Sequence, residues 1–369
     1  MILHLLFDDK FGEYAVKQFS GEDMCSEFII VAHSNVPDHF HKFDGTKVVL
    51  EENEEFQFLL QRLGEYKAIV LHGLFYPWQE RVLQAVPASV KVAWVFWGGD
   101  IYGRKCFSSR FLSPSSKCLR GLQNLKRVLR NRNNIHSYEL PFSCLQRIDY
   151  CLTDIPQDYE FVLNYFRTPI KRLWYNYYSI EDTIGDLSHE RVHGNNILVG
   201  NSCSIECNHL DGFRLVSKLD TGEASVIVPL SYGEPWLRRR LITLGKVFFK
   251  NHFKPLTAFL PRDQYNRIIT SCSVVVMPHY RPQAFGNILT ALWLGSRVYL
   301  SEKNPLLCYF RELGTIVFSI ERDLKRNNPV VLSPLSDEDV MKNRHALSLS
   351  YGKAVMKQMN IEIVKVLNQ

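Results

Sequence analysis

The feature that most restricts how this chain can fold is an alternation. Short apolar, β-branched runs are separated again and again by stretches whose apolar residues recur at helical spacing. In the first half the runs are Met1–Phe7, Glu27–His33, Lys47–Leu50, Ala68–Gly73, Lys91–Trp97 and Asp149–Thr153, with helical stretches such as Phe56–Tyr66 and Trp78–Val86 between them. In the second half they are Asn196–Gly200, Ser225–Pro229, Leu256–Leu260, Val274–Pro278, Arg297–Ser301 and Thr315–Ser319. Helical patterns near Leu210–Leu219, Trp236–Phe249, Asp263–Cys272, Gly286–Leu294 and Leu306–Leu313 fall between those. Strand–helix alternation predicts an α/β fold with a parallel sheet covered on both faces. Strands buried on both faces read as nearly continuous apolar runs, as these do. The pattern occurs twice, around the polar break Ser179–Gly194, and 369 residues suit two domains. The expectation is therefore two doubly wound parallel-sheet domains, 1–185 and 186–369, with a tail at Asp337–Leu367 of one or two helices that can return across the first domain.

Composition narrows the class. Hydrophobic residues make up 46% and charged residues 22%, which suits globular domains with cores and not a disordered chain. The nine cysteines have no regular spacing, as expected in a reducing compartment. Cys203 and Cys207 lack a second Cys/His pair at zinc-ligand spacing, so no metal is expected. The start, MILHLLFDDKFGEY, reads as a first strand and not as a signal peptide. No run approaches the ~18 apolar residues of a membrane-crossing helix, so any work at a membrane is expected from its surface. The net charge of +6 is unevenly spread. Ile101–Tyr138 contains no acidic residue but holds Arg104, Lys105, Arg110, Lys117, Arg120, Lys126, Arg127, Arg130 and Arg132. Such a block points to an anionic partner. Within it, Leu122, Leu125 and Val128/Leu129 recur at helical spacing among cations, a pattern shared by a helix on an anionic membrane and by a solvated basic face over a core stripe.

Open α/β sheets bind ligands at the carboxyl ends of their strands, so candidate site residues are those just after strands. ILVG ends in Gly200-Asn201-Ser202, followed by polar residues to Asn208 and a helix. Glycine permits a tight turn, and the amides of the loop and helix start suit a phosphate. An ordinary capped turn uses the same residues. VIVP closes on Pro229, and Tyr232 in the loop beyond can stack on a base or sugar or lie on the surface. MPHYRPQAFGNILTALWLG runs from a strand into a polar loop, then opens a helix at Phe285-Gly286-Asn287. Backbone amides at such a helix start suit a diphosphate. In the first half, Asp100 follows two glycines at a strand end, and His72 precedes Gly73 at the end of the neighbouring run. At such an edge a general base can take a proton from a bound hydroxyl; for that role Asp100 comes first and His72 second, and a helix cap is the other use of Asp100.

The helix start resembles the donor region of the two-domain (GT-B) glycosyltransferases, in which an acidic residue precedes Gly-Phe-Gly-Asn and a second lies inside the helix. Here Gln283 and Ala291 hold those acidic positions. Together with His72-Gly73, the W-G-x-D-x-Y of Trp97–Tyr102, ILVGNS with Asn208-His209, Val228-Pro229 and Asn304-Pro305, the chain resembles the TDP-N-acetylfucosamine:lipid II N-acetylfucosaminyltransferases of enterobacterial common antigen synthesis, glycosyltransferase family 56. The resemblance implies a GT-B-like pair of Rossmann-like domains, the first on the acceptor side and the second binding the nucleotide sugar. It implies a TDP-activated deoxy-amino-sugar donor, an undecaprenyl-pyrophosphate-linked glycan acceptor, an anionic membrane surface, no cofactor and no metal, at the cytoplasmic face of the inner membrane. By position, Gly200, Asn201, Ser202 and Asn208 would serve the donor diphosphate with Pro229, Tyr232, Gln283, Gly286 and Asn287 around the donor, assisted by Arg281 or Arg239. Asp100 and His72 would face the reacting sugars, and Trp97, Tyr102, Arg120, Lys126, Arg127 and Arg130 the acceptor and membrane. Two other readings stand beside this one: a GT-B enzyme using a UDP- or GDP-sugar for O-antigen or capsule, and a non-catalytic nucleotide- or lipid-binding protein on a degenerate scaffold. A dehydrogenase is excluded because no G-x-G-x-x-G follows the first strand, and no nucleic-acid-binding module surrounds the basic block.

Overall fold

The computed structural model describes residues 1–7, 11–21, 24–32, 43–107, 109–129, 138–167, 169–326, 328 and 330–369. The described residues of 1–104, 138–179 and 353–369 form one compact unit, and those of 105–129 and 180–352 form another.

The first unit is built on a seven-stranded sheet. Its strands are β1 (Ile2–Leu6), β2 (Ser26–Ala32), β3 (Thr46–Leu50), β4 (Ala68–His72), β5 (Lys91–Val95), β6 (Tyr150–Leu152) and β7 (Lys171–Leu173). They lie in the order β3-β2-β1-β4-β5-β6-β7, and every neighbouring pair is parallel. All five residues of β1 and of β4 are buried, as the unbroken apolar runs require. Burying one such aliphatic side chain is worth about 1.5–3 kcal/mol. The turn after β4 is fixed by Gln79, which is fully buried and accepts from the Phe75 and Tyr76 amides (2.6 and 2.9 Å) while donating to the Gly73 carbonyl (2.6 Å).

The second unit repeats the plan with six strands. They are β8 (Asn196–Val199), β9 (Val226–Pro229), β10 (Phe253–Leu256), β11 (Cys272–Met277), β12 (Arg297–Leu300) and β13 (Phe318–Ser319), in the order β10-β9-β8-β11-β12-β13, again parallel throughout. Each sheet therefore reverses its strand order beside its first strand, between β1 and β4 and between β8 and β11. These are the switch points where open sheets take ligands.

The structure departs from the sequence expectation in identifiable places. The strand expected at Leu256–Leu260 lies earlier, at Phe253–Leu256, and contains Pro255. Proline is admissible because β10 is an edge strand, where a missing N–H breaks no ladder bond. The half-exposed edge strand β7, Lys-Arg-Leu, carries too little apolar signal to be read from sequence. The division at 185/186 is displaced as well. The chain passes from the first unit to the second at Ser179/Ile180. Residues 105–129 belong to the second unit, fastened there by Ser113 N–H to Asn208 (2.9 Å), Ser115 to Asp211 (3.0 Å) and Arg120 to Glu206 (2.8 Å). The tail forms two helices, Asp337–Tyr351 in the second unit and Lys353–Asn368 in the first. The last helix is held there by Lys91, which donates to the Val366 carbonyl (2.8 Å).

Candidate functional site

At the switch point of the second unit, the loops after β8, β9 and β11 close around a polar centre. Gly200 turns the chain at φ +70°, and a side chain there would meet the His209 ring, whose Nε2 lies 2.7 Å from an ideal Cβ. Asn201 and Ser202 follow and are nearly buried. Asn201 Oδ1 accepts from the Gln283 amide (3.2 Å) and from the Cys207 thiol (3.2 Å), and Ser202 Oγ lies 3.5 Å from the same sulfur. The Tyr232 hydroxyl lies beside Asn201 and Ser202, while its residue is 53% exposed. The β8 and β9 loops are joined by backbone bonds: Cys203 N–H donates to Tyr232 O (2.8 Å) and Glu234 N–H to Cys203 O (2.9 Å). Gly233, at φ +115°, is obligatory in this joint because a Cβ would come within 2.4 Å of the Cys203 carbonyl. Pro229 is the buried last residue of β9 and, lacking an N–H and a polar side chain, offers a ligand no donor.

The helix Phe285–Leu294 starts after Ala284, which takes a left-handed φ of +61°. Ile288 N–H is the first to bond back, to Ala284 O (3.0 Å), so the amides of Phe285, Gly286 and Asn287 are the ones a helix start leaves without an internal acceptor. The Asn287 side chain donates to Tyr265 OH (3.2 Å), and burial pushes that phenol far up. Ala291 is fully buried.

The cations differ from the expectation. Arg281 acts on Glu206 and His279 electrostatically. Burial alone would raise the Glu206 carboxyl, but the Ser204 hydroxyl, then Arg281 and Arg120, hold it below the usual range. Arg120 is thus paired inside the unit and does not face a membrane freely. Arg239 is exposed, and its neighbour Arg238 turns to the loop instead, donating to Ser231 O (2.7 Å). Asn208 does not present its side chain to a ligand: Nδ2 donates to Phe111 O and Pro278 O (3.3 and 3.2 Å), Oδ1 accepts from Ser113, and the residue is 0% exposed. It fixes the loop. His209 and His279 are fully buried, and burial lowers both to about 3, so both imidazoles are neutral. Asn304 lies 2.9 Å from His279 Nδ1 through its amide nitrogen, which donates and leaves the ring proton on Nε2. Sequence reasoning gave no site role to Glu206, Cys207, His209, His279 and Tyr265: the first three lie together on one turn, but partners such as Arg120, Gln283, Asn304 and Asn287 come from distant segments and leave no trace in spacing; the spacing of Cys203 and Cys207 invited only a metal reading. Among the described residues no group of three or more His, Cys, Asp or Glu is placed to hold a metal ion.

The corresponding edge of the first unit is aromatic. Phe7, Phe11, Phe75 and Tyr177 surround Trp97, with ring centroids 5.0, 4.8, 5.8 and 5.9 Å from it. Trp97 Nε1–H donates to Tyr177 OH (2.8 Å). His72 lies inside this cluster, with Nδ1 2.8 Å from Tyr177 OH and Nε2 3.1 Å from His4 Nδ1. Burial, then His4, keeps His72 neutral. With both nitrogens engaged and 1% exposure, His72 is a core histidine and not a base open to an acceptor. Asp100 stands in the short helix Gly99–Tyr102. Its Oδ2 accepts from the Trp94 indole (2.8 Å), and its Oδ1 is buried with no hydrogen-bond partner among the described residues. Burial raises its carboxyl to about 7 against the pull of Trp94 and Trp97. Tyr102 is buried and gives its hydroxyl to Asp158, so it supports the site from behind.

In the second unit, Lys126 and Arg127 are exposed on the helix Pro114–Leu129, beside Leu122, Leu125, Val128 and Leu129, which are 47, 56, 71 and 76% exposed. Arg130 lies outside the described residues. Among those described, no helix is long and apolar enough to cross a membrane.

Known structures share this architecture. A glycosyltransferase from Rickettsia africae matches 99% of this chain and 98% of its own at 13% identity, with a TM-score of 0.66. Sucrose-phosphate synthase from Thermosynechococcus elongatus matches 100% and 99% at 10% identity and a TM-score of 0.64. Anabaena HepE, solved in complex with UDP and glucose, matches 100% and 99% at 12% identity and a TM-score of 0.61. At these identities the likeness shows the fold, which is GT-B. Residues 7–331 match the family model described as 4-alpha-L-fucosyltransferase, glycosyl transferase group 56. The match spans most of the sequence, and the chain is a glycosyltransferase belonging to group 56.

Proposed function

We propose that the enzyme moves a deoxy-amino-sugar of the N-acetylfucosamine type from a TDP-sugar to a polyprenyl-pyrophosphate-linked saccharide, without a metal, at the cytoplasmic face of the inner membrane. The observation that carries the donor assignment is Ala291. GT-B enzymes usually place there the carboxylate that grips the nucleotide ribose, and here the position is a buried methyl group. A 2′-deoxyribose has one hydroxyl fewer to hold, so thymidine diphosphate needs that carboxylate least. The amides of Phe285–Asn287, assisted by Arg281 from the preceding loop, would take up the charge of the leaving diphosphate, since such groups stabilise developing charge most when fixed in a site that excludes water.

On the acceptor side, Asp100 is the base in this reading: unlike His72, whose two nitrogens are both engaged, it keeps one oxygen, the buried Oδ1, without a hydrogen-bond partner among the described residues, and the acceptor must open a path to it. A carboxyl near 7 is matched to proton transfer at neutral pH. The lipid-linked acceptor is supported by the exposed leucines and cations of Pro114–Leu129, which suit the boundary of an anionic bilayer. Calorimetric titration of the purified protein with TDP, UDP and GDP, without added metal, tests the donor. TDP binding at least tenfold tighter than the others is expected, and tighter UDP or GDP would overturn the assignment. UDP is the second candidate, because HepE was solved with it.

A further inference from the structure

Cys207 is a buried thiol at the centre of the donor-side network, and no step of the proposed transfer uses it. Its position is set from below. The turn Ile205–Cys207 ends in Asn208, whose left-handed φ of +51° and saturated side chain anchor the sulfur. From there the thiol touches two loops that come from different strands. Toward the β8 loop, S–H donates to Asn201 Oδ1 (3.2 Å), and the sulfur lies 3.5 Å from Ser202 Oγ. Toward the β11 loop, it accepts from Gln283 Nε2 (3.2 Å). The phenols of Tyr232 and Tyr265 are both near enough to the sulfur to interact with it electrostatically. The residue is 0% exposed. It therefore does not contact a ligand in this conformation, yet it holds side chains that flank the switch point on both sides.

We propose that Cys207 is a positioning residue for the donor, acting through Asn201 and Gln283. A thiol suits this role because it donates and accepts at once, and its contacts are longer than the ~2.7–2.8 Å an O–H···O bond prefers. Alanine fills most of the same volume but removes both bonds. Asn201 then keeps the Gln283 amide and the Tyr232 hydroxyl, Gln283 loses its bond to the sulfur, and their orientation toward the donor relaxes. Serine restores a donor and an acceptor in the same place. This inference rests on the donor site being in the second unit, but not on the nucleotide being TDP.

The test compares Cys207→Ala and Cys207→Ser with the parent protein by calorimetry with TDP, UDP and GDP in parallel, and by steady-state kinetics with the donor sugar of the tightest-binding nucleotide. Cys207→Ala is expected to bind that nucleotide about tenfold more weakly and to raise donor KM by a similar factor with kcat nearly unchanged. Cys207→Ser is expected to recover to within about threefold. Thermal melting is recorded for each variant. Parent-like donor KM in Cys207→Ala overturns the proposal. So does a serine variant as weak as the alanine variant with an unchanged melting temperature, because the two bonds would then be irrelevant. If the alanine variant does not fold, Gln283→Leu, which removes the bond from the other side, must show the same KM effect, and parent-like KM there overturns the proposal. A change in which nucleotide binds tightest would overturn the TDP reading and leave this one standing.

Discussion

The two sheets follow one strand plan, yet their switch points are furnished in opposite ways. Where the first unit places Phe7, Phe75 and Trp97 after β1, β4 and β5, the second places Asn201, Ser202, His279 and Asn304 after β8, β11 and β12. The first edge is closed by ring contacts around Trp97, while the second is closed by hydrogen bonds around Cys207. Ring packing is tolerant of small shifts. A hydrogen-bonded network in a low-dielectric site is not, because each broken bond leaves a buried group unpaired. One fold thus supplies an adaptable edge in one unit and a fixed edge in the other.

The comparison can be broken most sharply at Asp100. Asp100→Asn is expected to lower turnover by about 10²–10⁴ if the carboxylate is the base. Its raised pKa has a second consequence. A carboxyl with a folded pKa of about 7, above its unfolded value, favours the fold while protonated and loses that contribution as pH rises through 7. Turnover of the parent enzyme should therefore rise with pH toward a plateau above about 7, whereas the Asn variant should melt no lower than the parent at pH 8. Full turnover in Asp100→Asn would remove the base from the aromatic edge altogether.

Gly233→Ala attacks the fixed edge. A Cβ meets a carbonyl oxygen at 2.4 Å in a left-handed backbone, so urea denaturation should show a loss of about 1–3 kcal/mol, with weakened nucleotide binding. Gly73→Ala at the aromatic edge also has a left-handed φ, +82°, but its Cβ meets the rim of the Phe75 ring, which can move. It should cost less, and equal losses would erase the distinction between a fixed and an adaptable edge. Trp97→Ala should raise acceptor KM several-fold while donor binding, read by calorimetry, stays within twofold. The smallest stability effect is expected from Lys126→Glu with Arg127→Glu: release from anionic vesicles on sedimentation, with unfolding free energy within about 0.5 kcal/mol of the parent. Retained vesicle binding would leave that helix as a solvated basic face.

Sequence made the parallel sheets legible because β1, β4, β8 and β11 are buried on both faces and so read as unbroken apolar runs. It also located the loops that meet at the second switch point, since Gly200, Asn201, Gln283 and Gly286 follow strands or open a helix. What it could not yield was orientation. Asn208, Tyr102 and His72 have the residue types of a binding site, but each spends its polar atoms on the protein. Cys207 has the residue type of a core filler and lies among the site residues. Neither outcome is encoded in spacing, because the partners come from loops brought together only by the finished sheet. The assignment of 105–129 failed for the same reason: its fastening to Asn208, Glu206 and Asp211 leaves no periodic trace.

The helix Lys353–Asn368 belongs to the first unit although the whole of the second is encoded before it. On the ribosome, the first sheet is complete early but must wait for its last helix. The first unit cannot be complete until the whole of the second has been synthesised, so the usual order, amino-terminal domain first, does not hold for its final step. Lys91, whose ammonium caps the Val366 carbonyl, marks the position held open in the meantime. A chain cut after Gly352 should accordingly retain an intact second sheet and lose order in the first, which carries Asp100.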